Sequence, residues 1–305
     1  MMETSYSTTS SSSRTSESEP HSSSSTSSPL PPSVLRLWRP TAQRNLRNQW
    51  FKLASFRNKW SSLSSSGRSQ ATSLVNSLLS QRYMPNMDLG VLSVMPGIRK
   101  KACFKLSKQQ ELLRSKLLST YKDMVAVVSD IFNTTRAMRC FFKGENNSPL
   151  LQFSSFSEDK SDSGDGGGIS VFSFLSIASH EKLAEELVQM FRWELCLKRL
   201  LIIELLSIGH DISQGNQLNW SNELYAGEFD HLQNCNLYCE ESCEPVPPRL
   251  RNGKSDMEAL KFDNQPKPEV LQVYLTTWFA EVNIDTNRVD EIFAVVGEEM
   301  HLTLF

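Results

Sequence analysis

Apolar side chains recur at helical spacing in several stretches of the chain, and this pattern predicts a mainly α protein. In the first stretch, after Pro40, steps of three or four residues separate Leu46, Trp50, Leu53, Phe56 and Trp60. Such steps place side chains on one face of an α-helix. We therefore predict a helix with an aromatic stripe, which begins after Pro40 because proline suits a first helical turn.

Two long helices are predicted in the middle of the chain. The first begins at Ser107, which forms a capping-box pair with Gln110, and its apolar residues follow a spacing close to a heptad seam up to about Phe142. The second begins at a cap on Ser179 and ends at Gly209. Its wide apolar face predicts packing against more than one neighbouring helix.

A last pair of helices is predicted after Pro268. Asp285 or Thr286 caps the second of them, which ends at Gly297. Residues 67–105 contain Pro85, Gly90, Pro96 and Gly97 and are predicted to be irregular. The only competing strand pattern is residues 169–174. We therefore expect an irregular helical bundle with long loops.

Charge divides the chain into a basic part and an acidic part. Residues 34–108 contain 14 Lys or Arg and one acidic residue, whereas residues 109–305 contain 17 Lys or Arg and 30 acidic residues. We predict a basic aromatic arm, partly helical, over residues 34–106 and an acidic helical body over residues 107–305. Within the body, residues 144–168 and 210–267 are polar and are predicted to be mobile loops.

The N-terminal segment has the composition of a disordered tail. Serine and threonine fill 20 of the first 33 positions. Such a segment buries too little apolar surface to offset the entropy of ordering. Short patterns make Ser18, Ser28 and Ser148 phosphorylation candidates.

The basic aromatic arm is the strongest candidate binding site. Guanidinium and ammonium groups bind phosphate or carboxylate, and aromatic rings stack on bases, so this composition suits a polyanion. The alternative is that the aromatic stripe packs on the acidic body of the same chain. The candidate residues are Arg44, Arg47, Trp50, Lys52, Arg57, Lys59, Trp60, Arg99, Lys100 and Lys101.

Two other interpretations of the arm stay open. Residues 42–52 resemble a degenerate IQ motif, which would make the arm a calmodulin target, although Ala42 and Asn48 depart from that motif. Residues 1–82 are rich in Ser and Arg and poor in acids, as chloroplast or mitochondrial transit peptides are. Acidic residues near the terminus and the late start of the basic stretch favour nuclear or cytosolic retention instead.

A ladder of potential metal ligands lies in HLQNCNLYCEESC, where a constant step of four separates His231, Cys235, Cys239 and Cys243. On a straight helix the first and last would lie about 18 Å apart along the axis, too far to share one ion. At most two neighbours, such as Cys235 and Cys239, would share a metal with ligands from elsewhere. Ordinary reduced thiols are the favoured interpretation, with redox-active thiols as the alternative.

The remaining features indicate a function in binding. No apolar run follows Met1 and no stretch is free enough of charge to span a membrane. Histidines and acids show no catalytic grouping, and GDGGG lacks the context of a phosphate loop. We expect a non-enzymatic adaptor or regulatory scaffold in the nucleus, associated with chromosomes, the cell cycle or the cytoskeleton. We expect protein partners, with nucleic acid or another acidic surface as the further class of partner, and no cofactor.

Overall fold

The computed structural model describes residues 32–143, 150–152, 163–208, 218–250 and 265–304. The described residues are mainly helical, which confirms the predicted fold class. The predicted disordered tail lies almost entirely outside them. The six helices are α1 (Pro32–Tyr83), α2 (Ile98–Arg136), α3 (Ile177–Ser207), α4 (Glu228–Asn234), α5 (Pro268–Ala280) and α6 (Thr286–Met300).

Helix α1 is a single rod of 52 residues, about 78 Å long at 1.5 Å per residue. It begins eight residues earlier than predicted, at Pro32, and passes through Pro40. It also continues to Tyr83, through a serine-rich stretch that was predicted to be irregular. The indole Nε1 of Trp278 donates to the Ser64 carbonyl over 3.0 Å. The same ring leaves no room for a Cβ at Gly67, so α5 packs tightly on this weak part of α1.

The aromatic stripe of α1 is the centre of the hydrophobic core. Trp38, Trp50 and Trp60 are at most 2 % exposed. Their indole N–H groups donate to three different parts of the chain: the Cys140 carbonyl (3.1 Å), His180 Nδ1 (3.1 Å) and Glu281 Oε1 (3.0 Å). Because each buried ring has a hydrogen-bond partner, the stripe both fills the core and fixes the orientation of its neighbours.

Helices α2 and α3 complete the main bundle. Helix α2 begins at Ile98, nine residues before the predicted start, and pairs with α1 in an antiparallel hairpin. The cap of helix α3 is Ser176, three residues before the predicted cap, because its side chain accepts from the Ser179 N–H over 3.3 Å. As predicted from its wide apolar face, α3 contacts α1, α2, α5 and α6.

The last two helices form a compact pair that buried charges attach to α3. Asp285 caps α6 as predicted, but the helix continues three residues beyond Gly297. At the turn between α5 and α6, Glu194 Oε2 accepts from the Asn283 N–H over 3.1 Å. Lys198, one turn further along α3, lies 3.1 Å from Glu194 and donates to the Trp278 carbonyl. The polar residues on this apolar face therefore hold the α5–α6 turn.

Parts of the two predicted mobile loops are ordered and packed. In the first, Gly166 lies against the Trp38 ring with φ +71, where a side chain would overlap the ring. Antiparallel pairing joins β1 (Phe141–Lys143) to β2 (Leu150–Gln152). In the second, α4 is followed by a small hairpin of β3 (Tyr238–Cys239) and β4 (Glu244–Pro245). The structure therefore differs from the prediction at residues 163–168 and 218–250.

Candidate functional site

Two of the predicted binding residues lie in the core instead of on the surface. Trp50 is fully buried and Trp60 is 2 % exposed. Trp50 packs edge-on against Phe293, and Trp60 packs edge-on against Phe191. The prediction that these rings stack on a ligand is wrong, because both rings are buried against other parts of the same chain.

Two of the predicted cations make contacts within the molecule. The guanidinium of Arg57 pairs with Asp290 of α6 and lies 5.5 Å from the centroid of the Phe293 ring. Arg47 lies 5.1 Å from the centroid of the Phe172 ring. Both groups are half-buried and connect α1 to neighbouring segments, so they contribute to packing.

The other predicted cations of α1 lie on its exposed side. Arg44, Lys52 and Lys59 are exposed, and Arg36, which was not among the predicted site residues, extends the set by two turns. We call these four residues the basic outer face. Within the described parts of the chain, none of them has a hydrogen bond or ion pair. Steps of eight, eight and seven residues spread the four cations over about 35 Å of the helix axis and, at about 100° per residue, over an arc of about 160° around its exposed side.

The surroundings of the basic outer face favour a negatively charged ligand. Helix α1 contains nine Lys or Arg residues and no acid. Phe51, 47 % exposed, lies within this arc and offers an aromatic edge or face to a ligand. The face is opposite the tryptophan stripe, so ligand binding there requires no rearrangement of the core.

Arg99, Lys100 and Lys101 lie elsewhere, at the start of α2. They belong to the end of the α1–α2 hairpin, which we call the hairpin tip and define as residues 79–109. Two short 3₁₀ helices, Met84–Asn86 and Gly90–Val94, connect the long helices there. No residue of the hairpin tip is buried. The structure therefore separates the ten predicted residues into two core positions, two half-buried cations with contacts inside the molecule, three residues of the basic outer face and three of the hairpin tip.

The His/Cys ladder does not form a metal site in the described structure. Helix α4 ends at Asn234, so the four residues do not share a helix. Cys235 is buried and its thiol donates to the Leu232 carbonyl over 3.3 Å, whereas Cys243 is exposed. Among the described residues, no group of three or more His, Cys, Asp or Glu side chains is arranged to hold a metal ion. His231 instead lies 3.2 Å from the Tyr225 hydroxyl.

The thiols of the ladder also differ in acidity. Burial raises the pKa of Cys235 to about 11. A hydrogen bond with Ser242 and further bonds from the backbone lower the pKa of Cys239. These two neighbours, the example given above of a pair that would share a metal, therefore have thiol pKa values shifted in opposite directions.

Sequence reasoning missed a buried ion pair between α3 and α4. Arg199 and Glu228 are at most 1 % exposed. The Arg199 Nε donates to Glu228 over 2.9 Å, and the Tyr121 hydroxyl donates to the same carboxylate over 2.7 Å. The sequence does carry one signal for this pair: charged residues, Arg199 among them, interrupt the apolar run of α3. All polar atoms of the pair have local partners, so its role is structural.

His180 is the other buried titratable group near the centre. Its Nδ1 accepts from the Trp50 indole, and the ring is fully buried. Desolvation lowers its pKa to about 4, with the nearby Glu299 carboxylate opposing that shift. Glu299 itself accepts from the backbone N–H groups of residues 173–175. His180 is therefore a neutral hydrogen-bond acceptor at neutral pH.

Further findings bear on the class of protein. None of the described helices is long and apolar enough to cross a membrane. No protein-family model matches the sequence, and no curated protein is significantly similar to it. The fold and surfaces thus define a helical protein with a packed core and two exposed basic regions.

Proposed function

We propose that the chain is a non-enzymatic nuclear adaptor that binds a polyanion through the basic outer face and protein partners through other surfaces of its helical body. The observation that carries the proposal is that Arg36, Arg44, Lys52 and Lys59 are exposed together on the outer side of a helix without acids. Cations that stabilise a fold are buried or paired with acids, whereas these four are exposed. Exposed cations of one sign attract an anionic partner over a Debye length.

Nucleic acid is the polyanion that we propose. Duplex DNA carries one negative charge per about 1.7 Å of its axis, so phosphates are available along the whole face whatever its exact spacing. An acidic protein would need carboxylates at matching positions. No base-reading fold surrounds the face in the described chain, so we propose binding without sequence preference.

Two alternatives would require the core to be taken apart, and we do not propose them. Cleavage of a transit peptide after the first 70–80 residues would remove most of α1, including Trp38, Trp50 and Trp60. Calmodulin binding to residues 42–60 would need the last two of these rings as anchors, and both are buried.

The test uses the full chain, because α1 is part of the core. Anisotropy of a fluorescein-labelled 30-base-pair DNA would be measured at 50 and 200 mM salt. With about four phosphate contacts, affinity should fall roughly 100-fold between these concentrations. The triple variant Arg44→Glu/Lys52→Glu/Lys59→Glu should not bind at 200 mM salt. The matched control reverses three exposed lysines elsewhere: Lys116, Lys182 and Lys267.

The control separates local contacts from net charge, because both triple variants lower the charge by the same amount. Equal loss of binding in both would refute the assignment to the basic outer face. Absence of any salt-dependent DNA binding would refute the proposed function. Polyglutamate that competes as well as DNA at equal charge would replace nucleic acid by an acidic protein as the ligand.

A further inference from the structure

The hairpin tip exposes an unusual density of large apolar side chains. Of the 17 such side chains that are exposed in the described residues, seven lie between positions 83 and 104. Among these seven, Val91 (86 %) and Val94 (81 %) are the most exposed. Single exposed apolar residues are ordinary, whereas a contiguous group marks a surface for a partner. The seven are Tyr83, Met87, Val91, Leu92, Val94, Met95 and Phe104.

The same segment is strongly basic. The hairpin tip contains six Lys or Arg residues and a single acid, Asp88. The Asp88 carboxylate accepts from the Gly90 N–H over 3.0 Å. Arg82 and Arg99 donate to backbone carbonyls, which leaves four lysines on the surface of α2. They are Lys100, Lys101, Lys105 and Lys108.

Contacts within the chain hold the tip together and leave its apolar residues largely exposed; the Lys108 ammonium lies 4.8 Å from the centroid of the Phe104 ring, which is still 63 % exposed. Gln110 donates to Gln81 over 2.6 Å, which joins α2 to α1 at the base of the tip. The guanidinium of Arg82 connects this base to the Pro266 carbonyl. Beyond these bonds, no described residue of the tip is buried by the body. The apolar surface is therefore available to another molecule.

We propose that the hairpin tip binds an acidic amphipathic helix of a partner protein. On the exposed side of α2, Phe104 in the tip (63 % exposed) and Leu112 just beyond it (56 % exposed) lie among Lys101, Lys105 and Lys108, so the proposed surface extends from the tip along α2 to Leu112. Apolar anchors at helical spacing suit a partner helix that places its own apolar stripe along this side. The three lysines lie on the same side of α2 as these anchors, so they select carboxylates next to the partner's apolar stripe.

The length of this surface favours a helix over a membrane. Leu112 lies 14 residues into α2, about 21 Å along the axis from its start. An interfacial element enters a bilayer by about 5–10 Å, so a membrane would reach the apex and leave Leu112 uncovered. A second copy of the chain also fits poorly. Its exposed apolar helix, α5, contains one acid, Glu269.

The inference rests on the protein-binding half of the proposed function and names its partner class. The probe is a displayed library of 18-residue helical peptides with apolar residues at one stripe and Asp or Glu elsewhere. Peptides would be selected on the full chain and measured by anisotropy. Binders should lose at least 10-fold in affinity to Phe104→Ser/Leu112→Ser and to Lys101→Glu/Lys105→Glu. Val273→Ser, an equally exposed apolar position on α5, should leave affinity unchanged.

Three results would overturn the inference. The first is a library that yields no peptide binding more tightly than a scrambled peptide of the same composition. The second is vesicles of 30 % phosphatidylserine that bind the chain and lose that binding in the same variants. The third is self-association in sedimentation that those variants abolish. DNA binding by the basic outer face is measured separately, so failure here is distinguishable from failure of the proposed function.

Discussion

Replacing Arg199 by methionine should strongly destabilise the fold, because it leaves the Glu228 carboxylate buried without its cation. Arg199 is 1 % exposed and Glu228 is fully buried. Methionine fills similar space without a charge or donors. The Trp220 and Asn222 carbonyls, each 2.7 Å from the guanidinium, also lose their donor.

The magnitude follows from the burial of the remaining charge. Removing one partner of a buried ion pair costs about 3–5 kcal/mol. The Tyr121 hydroxyl and the Leu224 N–H, each 2.7 Å from the carboxylate, still donate to it and keep the loss within that range. At about 2–4 °C per kcal/mol, Tm should fall by roughly 6–20 °C.

A double-mutant cycle followed by circular dichroism at 222 nm in urea tests this reasoning. Adding Glu228→Gln to Arg199→Met removes the uncompensated charge and keeps a carbonyl oxygen for Tyr121. The double variant should therefore recover about 1.5 kcal/mol or more relative to Arg199→Met. Two results would refute the interpretation of Arg199 and Glu228 as a buried ion pair that stabilises the fold. One is a loss of less than about 1 kcal/mol of unfolding free energy in Arg199→Met, and the other is a double variant that is no more stable than Arg199→Met.

Two further predictions concern titration. The folded-state pKa of His180 is about 4 against an ordinary 6.5, so the unfolded chain binds more protons between these values and stability falls as pH drops from 6.5 to 4. This group removes about 3 kcal/mol over that window. Urea unfolding of His180→Gln, which keeps an acceptor for Trp50, should show a flatter pH dependence, and an unchanged slope would contradict the explanation. In the folded chain at pH 7.5, iodoacetamide should modify Cys239 before Cys235, because one pKa is lowered and the other is raised to about 11. Mass spectrometry of the labelled peptides checks the order, and equal rates would show that the burial of Cys235 does not protect it.

The tryptophan stripe shows what periodicity reveals and what it leaves open. Spacing predicts that Trp50 and Trp60 share one face of a helix, and the structure confirms that geometry. The same pattern serves a helix that awaits a partner and one that packs on its own chain. Only the positions of the Phe293 and Phe191 rings decide between them. The basic outer face becomes recognisable once the buried side of α1 is known.

Local signals mislead where tertiary contacts override them. The pair Ser107–Gln110 has the form of a helix start, yet α2 already began at Ile98. Gly97, with φ +77, ends the preceding turn and admits the earlier start. In the His/Cys ladder, regular spacing implied a shared helix. Asn236, with φ +54, instead lets the chain reverse, and the Leu237 N–H bonds to the Leu232 carbonyl over 2.8 Å.

The continuity of α1 has a geometric consequence for the two exposed surfaces. From Lys52 in the basic outer face to Tyr83 at the hairpin tip, the rod is unbroken for 31 residues, about 46 Å. Its serine-rich midpoint is the place where such a rod would bend, and Trp278 packs against Gly67 there. Two ligands bound to the same molecule, one at the basic outer face and one at the hairpin tip, would therefore be held at a fixed distance along α1 and at a fixed angle about its axis.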